Sequence, residues 1–304
     1  MVRMMKLRDL EYLVAVDEER HFHKAAARCF VSQPTLSGQL KKLEDELGVQ
    51  LVERTNRHVE MTEVGLAVSK QARHVLTEVK TIDDIVQAYK DPMKGELRLG
   101  LIPTIAPYLL PVIMPDLGKV FPNLKLWLYE HQTEILLEKL DRGELDFLIL
   151  ALPIEKHQFI EVDLFREPFR LAIKRGDKLS SRKKVNLGDI VNHEMLLLEE
   201  GHCLRGHVLD ACHFSDAING SQFQATSLET LRHMVGEGAG LTLIPELAIP
   251  KRTTKKDSVQ YIEFSDPKPS RRIGMLYRKN SYREDVFNNI GDVIRSVLPD
   301  NVFF

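Results

Sequence analysis

Long apolar runs are missing from this 304-residue chain. No stretch of about 18 apolar residues occurs, so no membrane-spanning helix is expected. Cysteine is scarce, with three in the whole chain. That is too few for the disulfide framework of a secreted protein, and a reducing cytoplasm is the expected setting. Met1 to Leu7 runs straight into Arg8-Asp9; without an apolar leader core, no signal peptide is expected. Net charge is only -2, so any nucleic-acid contact must be local. There is no Gly-rich phosphate loop and no Ser-His-Asp arrangement. No metal cluster at recognised spacing occurs either, since His202 and His207 stand five positions apart. No metal and no cofactor are expected.

Acid is absent from one window. From Arg20 to Leu43 there is no Asp or Glu, while Arg20, Lys24, Arg28, Lys41, Lys42, His21 and His23 are present. Such a window is either a solvated basic face or the positive field that phosphate binding needs. Its pattern favours the second. Leu7, Leu10, Val14 and Val16 suggest an amphipathic helix, and Phe22 to Ala27 a short second one. Ser32 suits an N-cap, and Pro34 is tolerated only in a first turn. Leu36, Leu40, Leu43 and Leu47 then recur at helical spacing and face a core, and Gly48 stops the helix. Off that stripe lie Gln33, Thr35, Ser37, Gln39, Lys41 and Lys42. Gln reads adenine, Ser and Thr bond bases or phosphates, and Lys neutralises phosphate. Two short strands, 49–54 and 59–62, flank Thr55 to His58, with Arg54 and Arg57 placed to reach the backbone or minor groove. This pattern is a winged helix-turn-helix.

The same residues carry a resemblance. Ala25-Ala26, Val31 to Ser37, Leu43-Glu44, Leu47-Gly48-Val49, Leu51, Glu53-Arg54, Thr62 and Gly65 resemble the LysR-type transcriptional regulators. The resemblance implies contacts to double-stranded promoter DNA from Gln33, Pro34, Thr35, Ser37 and Arg54, with Ser32 beside them. Gly38 stands where many members carry a basic residue. From Glu63 to about Asp91, Val68, Ala72, Val75, Val79, Ile82, Ile85 and Val86 form a helical stripe ~40 Å long. It must bury against its own domain or against a second copy, and the family implies a dimerising linker helix.

Beyond a hinge at Asp91 to Gly95, short apolar runs alternate with helical patterns. Strands are expected at 97–102, 125–129, 147–151, 169–173, 195–198, 223–225, 241–245 and 273–277. Helices are expected at 108–121, 133–141, 228–235 and 283–297. Alternation of this kind argues for βαβ units around a buried parallel sheet. The fold class is α/β: a winged helix-turn-helix (5–62), a long linker helix (63–92) and a two-lobe, periplasmic-binding-protein-like effector domain (96–304). Lobe I takes about 96–165 and 270–304, lobe II about 166–269. Ligand crevices in such folds lie at strand carboxyl ends and lobe junctions. Thr104 and Thr133 are therefore crevice residues, or else simple helix caps.

Two of the three cysteines, Cys203 and Cys212, stand nine positions apart between Gly201-His202 and His213. On one helix that separation is ~13 Å, whereas a disulfide needs Cα atoms within ~7 Å. They are inert core residues or a pair whose bonding requires the helix to unwind, which Gly201 and Gly206 would ease. Buried packing is expected for Cys29, inside the helix-turn-helix, and for the reduced Cys212. His202, Arg205 and a helix N-terminus are expected to lower the Cys203 pKa, making it the attacking thiolate. Gly201 to Arg205, Cys212, Ala225 to Arg232 and Gly100 to Thr104 are similar to the peroxide-sensing members of the LysR family. That resemblance implies a peroxidatic Cys203 and a resolving Cys212. Thr104, Thr133 and His202 would hold hydrogen peroxide, with Arg205 and either Arg271 or the adjacent Arg272 nearby. Gly206 departs from the family, where Asp is frequent; its absence either frees Arg205 to pair with the thiolate or loosens the helix.

The expected function is a cytoplasmic, non-enzymatic regulator that senses hydrogen peroxide through Cys203 and Cys212 and activates oxidative-stress genes. Its implied partners are promoter DNA, its own copies (a linker-helix dimer, a tetramer by resemblance), RNA polymerase and thiol reductants. The alternatives are a regulator answering a small organic effector in the crevice, and a thiol peroxidase.

Overall fold

The computed structural model describes residues 5–54, 59–90, 93–154, 156, 158–191, 193–212, 224–252, 254, 257–279, 281–299 and 302. Two compact units divide at Lys90/Asp91, and each is built on its own core.

In the first unit, α1 (Leu7–Glu19), α2 (Phe22–Arg28) and α3 (Gln33–Leu47) pack around Leu13, Val16, Ala25, Leu36, Leu40 and Leu43. The α1 stripe differs from expectation: Leu10, Leu13 and Val16 turn inward, Val14 is half-buried and Leu7 is exposed. Ser32 caps α3 by accepting the Thr35 N–H at 3.3 Å. Gly48 ends the helix at φ 73°, a left-handed turn for which glycine carries no Cβ penalty. The wing is β1 (Val52–Arg54) paired antiparallel with β2 (Val59–Met61). Glu44 Oε1 accepts the N–H groups of Leu51 and Val52 at 2.8 and 3.0 Å, tying the wing to α3.

The long helix α4 (Glu63–Lys90) is fastened to α1 by a buried carboxylate. Asp17 accepts from Ser69 Oγ at 2.7 Å and Arg20 Nη2 at 2.8 Å, and pairs with Arg73. The charge cluster adds to the apolar packing of Val68 against the core that Leu13 and Val16 help to form. A carboxylate 7% exposed is tolerated only because its acceptor sites are filled. Farther along α4, Ile82, Ile85 and Val86 are exposed, an apolar face that nothing in this unit covers.

The second unit has two cores, one eight-stranded sheet that serves both and a separate two-stranded sheet. Lobe I holds β3 (Gly95–Leu101), α5 (Ala106–Val120), β4 (Leu124–Glu130), α6 (Thr133–Asp141) and β5 (Phe147–Leu152). β3 pairs in parallel with β4 and β5, as the alternation implied. The purely parallel expectation then fails. The 16-residue β6 (Phe159–Lys174) runs through both lobes. It pairs antiparallel with β10 (Thr242–Pro245), β11 (Val259–Phe264) and β12 (Ser270–Arg278), while β12 also lies antiparallel to β5. Lobe II adds β7 (Lys184–Val185), β8 (Leu197–Leu198), α7 (Cys203–Cys212), β9 (Gln224–Ala225) and α8 (Leu228–Glu237). The closing helix α9 (Glu284–Val297) returns to lobe I, burying Phe287 and Ile290. β11 escaped the sequence reading because its apolar residues are broken by Gln260 and Glu263. Its pairing with β6 is set by chain topology.

The α1–α4 tie makes a prediction. Replacing Asp17→Ala leaves Ser69 without its acceptor and Arg73 with only Glu18, so the helix-turn-helix unit should lose about 1–3 kcal/mol, read as a lower urea midpoint. An unchanged midpoint would mean that the network contributes nothing.

Candidate redox site at the head of α7

β6 and β12 cross between the two cores, and their register sets Arg271 opposite Glu167. Both side chains are essentially excluded from solvent, at 1% and 0% exposure. Arg271 Nε donates to Glu167 Oε2 at 2.8 Å. The rest of the guanidinium reaches lobe I, where Nη1 donates to Thr104 Oγ1 at 2.9 Å and Nη2 to the Thr104 carbonyl at 3.0 Å. Glu167 Oε1 accepts the Leu247 N–H at 2.8 Å. A buried ion pair with its remaining sites bonded is the one arrangement in which such charges are tolerated.

This settles which of two adjacent arginines faces inward. Arg271 enters the crevice, and Arg272 turns out to an exposed pair with Asp163. Strand alternation requires that split once one of them is buried.

Cys203 is the first residue of α7 and is a free thiol. It packs against the lobe I core, while Leu204 and Val208, four positions apart, sink into lobe II. The helix is thus clamped on one face and presents its first residue to the other lobe. Around the sulfur, Thr104, Gln132, Thr133, Gly201 and His202 pack so closely that no water-sized sphere fits between them. The Thr133 hydroxyl is buried, and no protein atom among the described residues satisfies its hydrogen-bonding capacity. It lies beside the Cys203 sulfur and favours ionisation there. His202 is buried, its Nε2 3.9 Å from Glu199. On its other side Cys203 meets a wider mouth of about 420 Å³ lined by Arg166, Ser270, Arg271, Arg272 and Gly206.

Three expectations need correction. Burial raises the Cys203 pKa above the ordinary thiol range, and the nearest cation, Arg271, offsets this only in part. Neighbouring charge does not win here, because taking the thiolate out of water costs more than Arg271 and the local hydrogen bonds return. Arg205 takes no part in the pocket: its Nη1 donates to the Leu198 carbonyl at 3.1 Å, a backbone partner and not the thiolate. Thr133 is the first residue of α6, and neither it nor the N-cap Gln132 makes a side-chain cap. Its hydroxyl is left for the pocket instead.

Gly201 has φ 92°, and a Cβ there would fall 2.6 Å from Gln132 Oε1; both conformation and space require glycine. Gly206 differs, since a Cβ there would meet nothing within 4 Å. Glu167 and Gln132 were missed by sequence reasoning. Only the β6–β12 register and the approach of α6 to Gly201 bring them to the site.

Of the DNA-reading candidates, Ser32, Gln33, Pro34, Thr35, Gln39, Lys41 and Lys42 are exposed on or just before α3, and Ser37 is half-buried. Ser32 Oγ and Thr35 Oγ1 are hydrogen-bonded at 2.7 Å. Arg54 ends β1, its side chain lying outside the described residues, as do Arg57 and the side chain of Cys212. Among the described residues no group of metal-ligating side chains is present, and no helix is long and apolar enough to cross a membrane.

A winged helix-turn-helix joined to a two-core, cross-stranded effector unit defines a class of bacterial regulator. Residues 7–66 match the bacterial regulatory helix-turn-helix protein, lysR family, and residues 90–299 match the LysR substrate binding domain. The chain belongs to the LysR family. Within it, the chain is similar to the hydrogen peroxide-inducible genes activator of Pectobacterium carotovorum, at 48% identity over 96% of each chain. It is equally similar to the DNA-binding transcriptional dual regulator OxyR of Escherichia coli K12, at 48% identity over 96% of this chain and 95% of that one. Among solved structures, full-length OxyR of Pseudomonas aeruginosa, a cysteine-to-aspartate variant, superposes with TM-score 0.77 at 37% identity, covering 96% and 95% of the two chains. The reduced form of OxyR matches with TM-score 0.64 at 43% identity, over 69% of this chain and 98% of that one. The oxidized form matches with TM-score 0.62 at 45% identity, over 68% and 97%.

The electrostatics predict a reactivity profile. A thiol whose pKa is raised by burial gains thiolate only at higher pH. Alkylation of Cys203 by iodoacetamide should therefore keep rising beyond the midpoint of a free cysteine. Arg271→Met removes the one lowering charge, and near neutral pH should slow alkylation by about threefold or more. A faster-reacting Arg271→Met protein would reverse the assigned sign.

Proposed function

We propose that this chain is a DNA-binding transcription regulator that senses hydrogen peroxide through Cys203 and acts as an activator of oxidative-stress genes. The observation that carries the reading is Cys203 at one end of a helix that has Cys212 at the other. The sulfur sits in a pocket whose Thr133 hydroxyl has an unfilled hydrogen-bonding capacity. Peroxide is among the smallest of oxidants, so a slight outward shift of these side chains would admit it, and it offers two oxygens that both donate and accept. Thr104, Thr133 and His202 line the place where it would lie, and Arg271 supplies positive charge beside the developing anion.

The first step forms an S–O bond and breaks the O–O bond. The Cys203 thiolate attacks one peroxide oxygen; the other leaves, takes up a proton and becomes water, and Cys203 becomes a sulfenic acid. In the second step the Cys212 thiol attacks that sulfur. An S–S bond forms, the S–O bond breaks, and a second water departs. As long as α7 is intact the two Cα atoms are ~13 Å apart, so the second step requires the helix to open. Leu204 and Val208 then leave lobe II, and the two lobes repack. The exposed apolar face of α4 supports pairing with a second copy, whose recognition helix would take the other half-site; promoter binding as a tetramer, contact with RNA polymerase and resetting by cellular thiols complete the proposed cycle. The regulator turns over no substrate.

Titrating the protein with peroxide, mapping disulfides by mass spectrometry and footprinting DNA before and after tests the scheme. A Cys203–Cys212 bond at near-stoichiometric peroxide with an altered footprint is expected, and Cys203→Ser should abolish both. An unchanged footprint after complete oxidation would falsify it and leave an organic effector as the signal. Rapid peroxide consumption with a thiol donor would point to a peroxidase. Gly206→Ala fits the open space and strengthens α7 by roughly 1 kcal/mol. Disulfide closure should then slow by about fivefold while the sulfenic acid accumulates; closure at the wild-type rate would show that helix opening does not limit the second step.

A further inference from the structure

Phe30 is the anomaly of the helix-turn-helix. It lies between α2 and α3, two residues before the N-cap Ser32. Its backbone is left-handed at φ 56°, and the residue is 93% exposed. The backbone cannot relax, because it makes the turn itself. Phe30 N–H donates to the Ala27 carbonyl at 3.1 Å and Val31 N–H to the Ala26 carbonyl at 3.0 Å. On the far side Arg8 Nη2 holds the Cys29 carbonyl at 2.9 Å. Glycine or asparagine suits such a position, and a bulky side chain there is a genuine outlier. The fold therefore gains nothing from this phenyl ring: it is strained in the backbone, wet on nearly all its surface and outside the core.

What covers it is indicated by its neighbours. Ser32, Gln33, Pro34 and Thr35, the exposed start of the recognition helix, follow directly. The ring also sits within the acid-free stretch from Arg20 to Leu43, where the field attracts phosphate. We infer that Phe30 is a DNA-contacting residue, held by the strained turn so that its ring packs on an apolar part of the duplex beside the groove read by α3. Two apolar surfaces are available there: the thymine C5-methyl group and the deoxyribose face.

The test compares full-length Phe30→Asn and Phe30→Leu with the wild-type chain on a duplex selected by the wild type from a random pool. Phe30→Asn should weaken binding by about fivefold or more. Its salt dependence should be unchanged, since an apolar contact releases no counterions, and its thermal midpoint should be equal or higher, since asparagine relieves the strain. Phe30→Leu should retain part of the affinity. Replacing thymine by uracil along the site separates the two surfaces. A uracil penalty that vanishes in Phe30→Asn identifies the methyl group, and its absence alongside a weakened Phe30→Asn identifies the sugar. Affinity within twofold of wild type overturns the inference, even if transcription falls, because the ring would then meet a protein. Loss of affinity in parallel with a lower thermal midpoint also overturns it, as would a salt slope reduced by about one.

Discussion

Everything in the regulatory unit converges on the Arg271–Glu167 pair. β6 and β12 are the strands that serve both lobes, and the pair sits at the rung where they pass between the cores. Taking two charges out of water is expensive, and geometry with full hydrogen bonding must offset that cost. Here the offset comes from both lobes: Thr104 belongs to lobe I, and the Leu247 N–H comes from the segment after β10. The pair thus fixes the lobes against each other at the floor of the pocket. It also holds Arg271 where its charge partly reverses the effect of burial on the Cys203 thiol.

A buried, largely protonated thiol is not an obvious oxidant sensor, and the arrangement explains why it need not be. General reactivity toward electrophiles falls when the thiolate fraction is small. A ligand bonded to Thr133 would be held against the sulfur, and the nearby Arg271 charge would favour the negative charge that develops as the S–O bond forms. In the proposed scheme, selectivity for a small dioxygen ligand would come from the close packing around the sulfur and from the Thr133 hydroxyl, and the low thiolate fraction would protect the sulfur from larger reagents.

How much of this was legible in the sequence varied with the kind of interaction involved. The helix-turn-helix could be read almost to the residue, because Ser32, Pro34, Gly48 and the leucines of α3 act locally through capping and periodicity. For α7 only a conditional could be read: if 203–212 is helical, Cys203 and Cys212 stand too far apart to bond. Arg271 could not be separated from Arg272 without knowing which face of β12 is buried. Glu167, 104 residues away from Arg271, leaves no local trace at all. The inward charge expected from His202 and Arg205 was misjudged for the same reason: proximity in sequence placed them near the sulfur, but backbone partners and burial decide the field. The long β6 was seen only in its second half, since Asp163, Arg166 and Glu167 interrupt the apolar pattern where the strand crosses between cores.

The helix that separates the cysteines also makes the proposed disulfide more readily reduced. Opening α7 exposes Leu204 and Val208, each buried to within a few percent. Burial of such a side chain is worth about 1.5–3 kcal/mol, so exposing the two costs roughly 3–6 kcal/mol. Gly206 lowers the opposing helix stability by about 1 kcal/mol relative to alanine. For a two-electron couple, ~1.4 kcal/mol corresponds to ~30 mV. A few kcal/mol of repacking therefore raises the reduction potential by some ~60–120 mV above that of an unstrained structural disulfide. That displacement moves the couple from the range in which disulfides resist cellular thiols to the range in which they can be reset. The hydrophobic face of α7 is thus the reversing spring of the proposed switch: the same two residues that hold the reduced helix in lobe II make the oxidised form temporary.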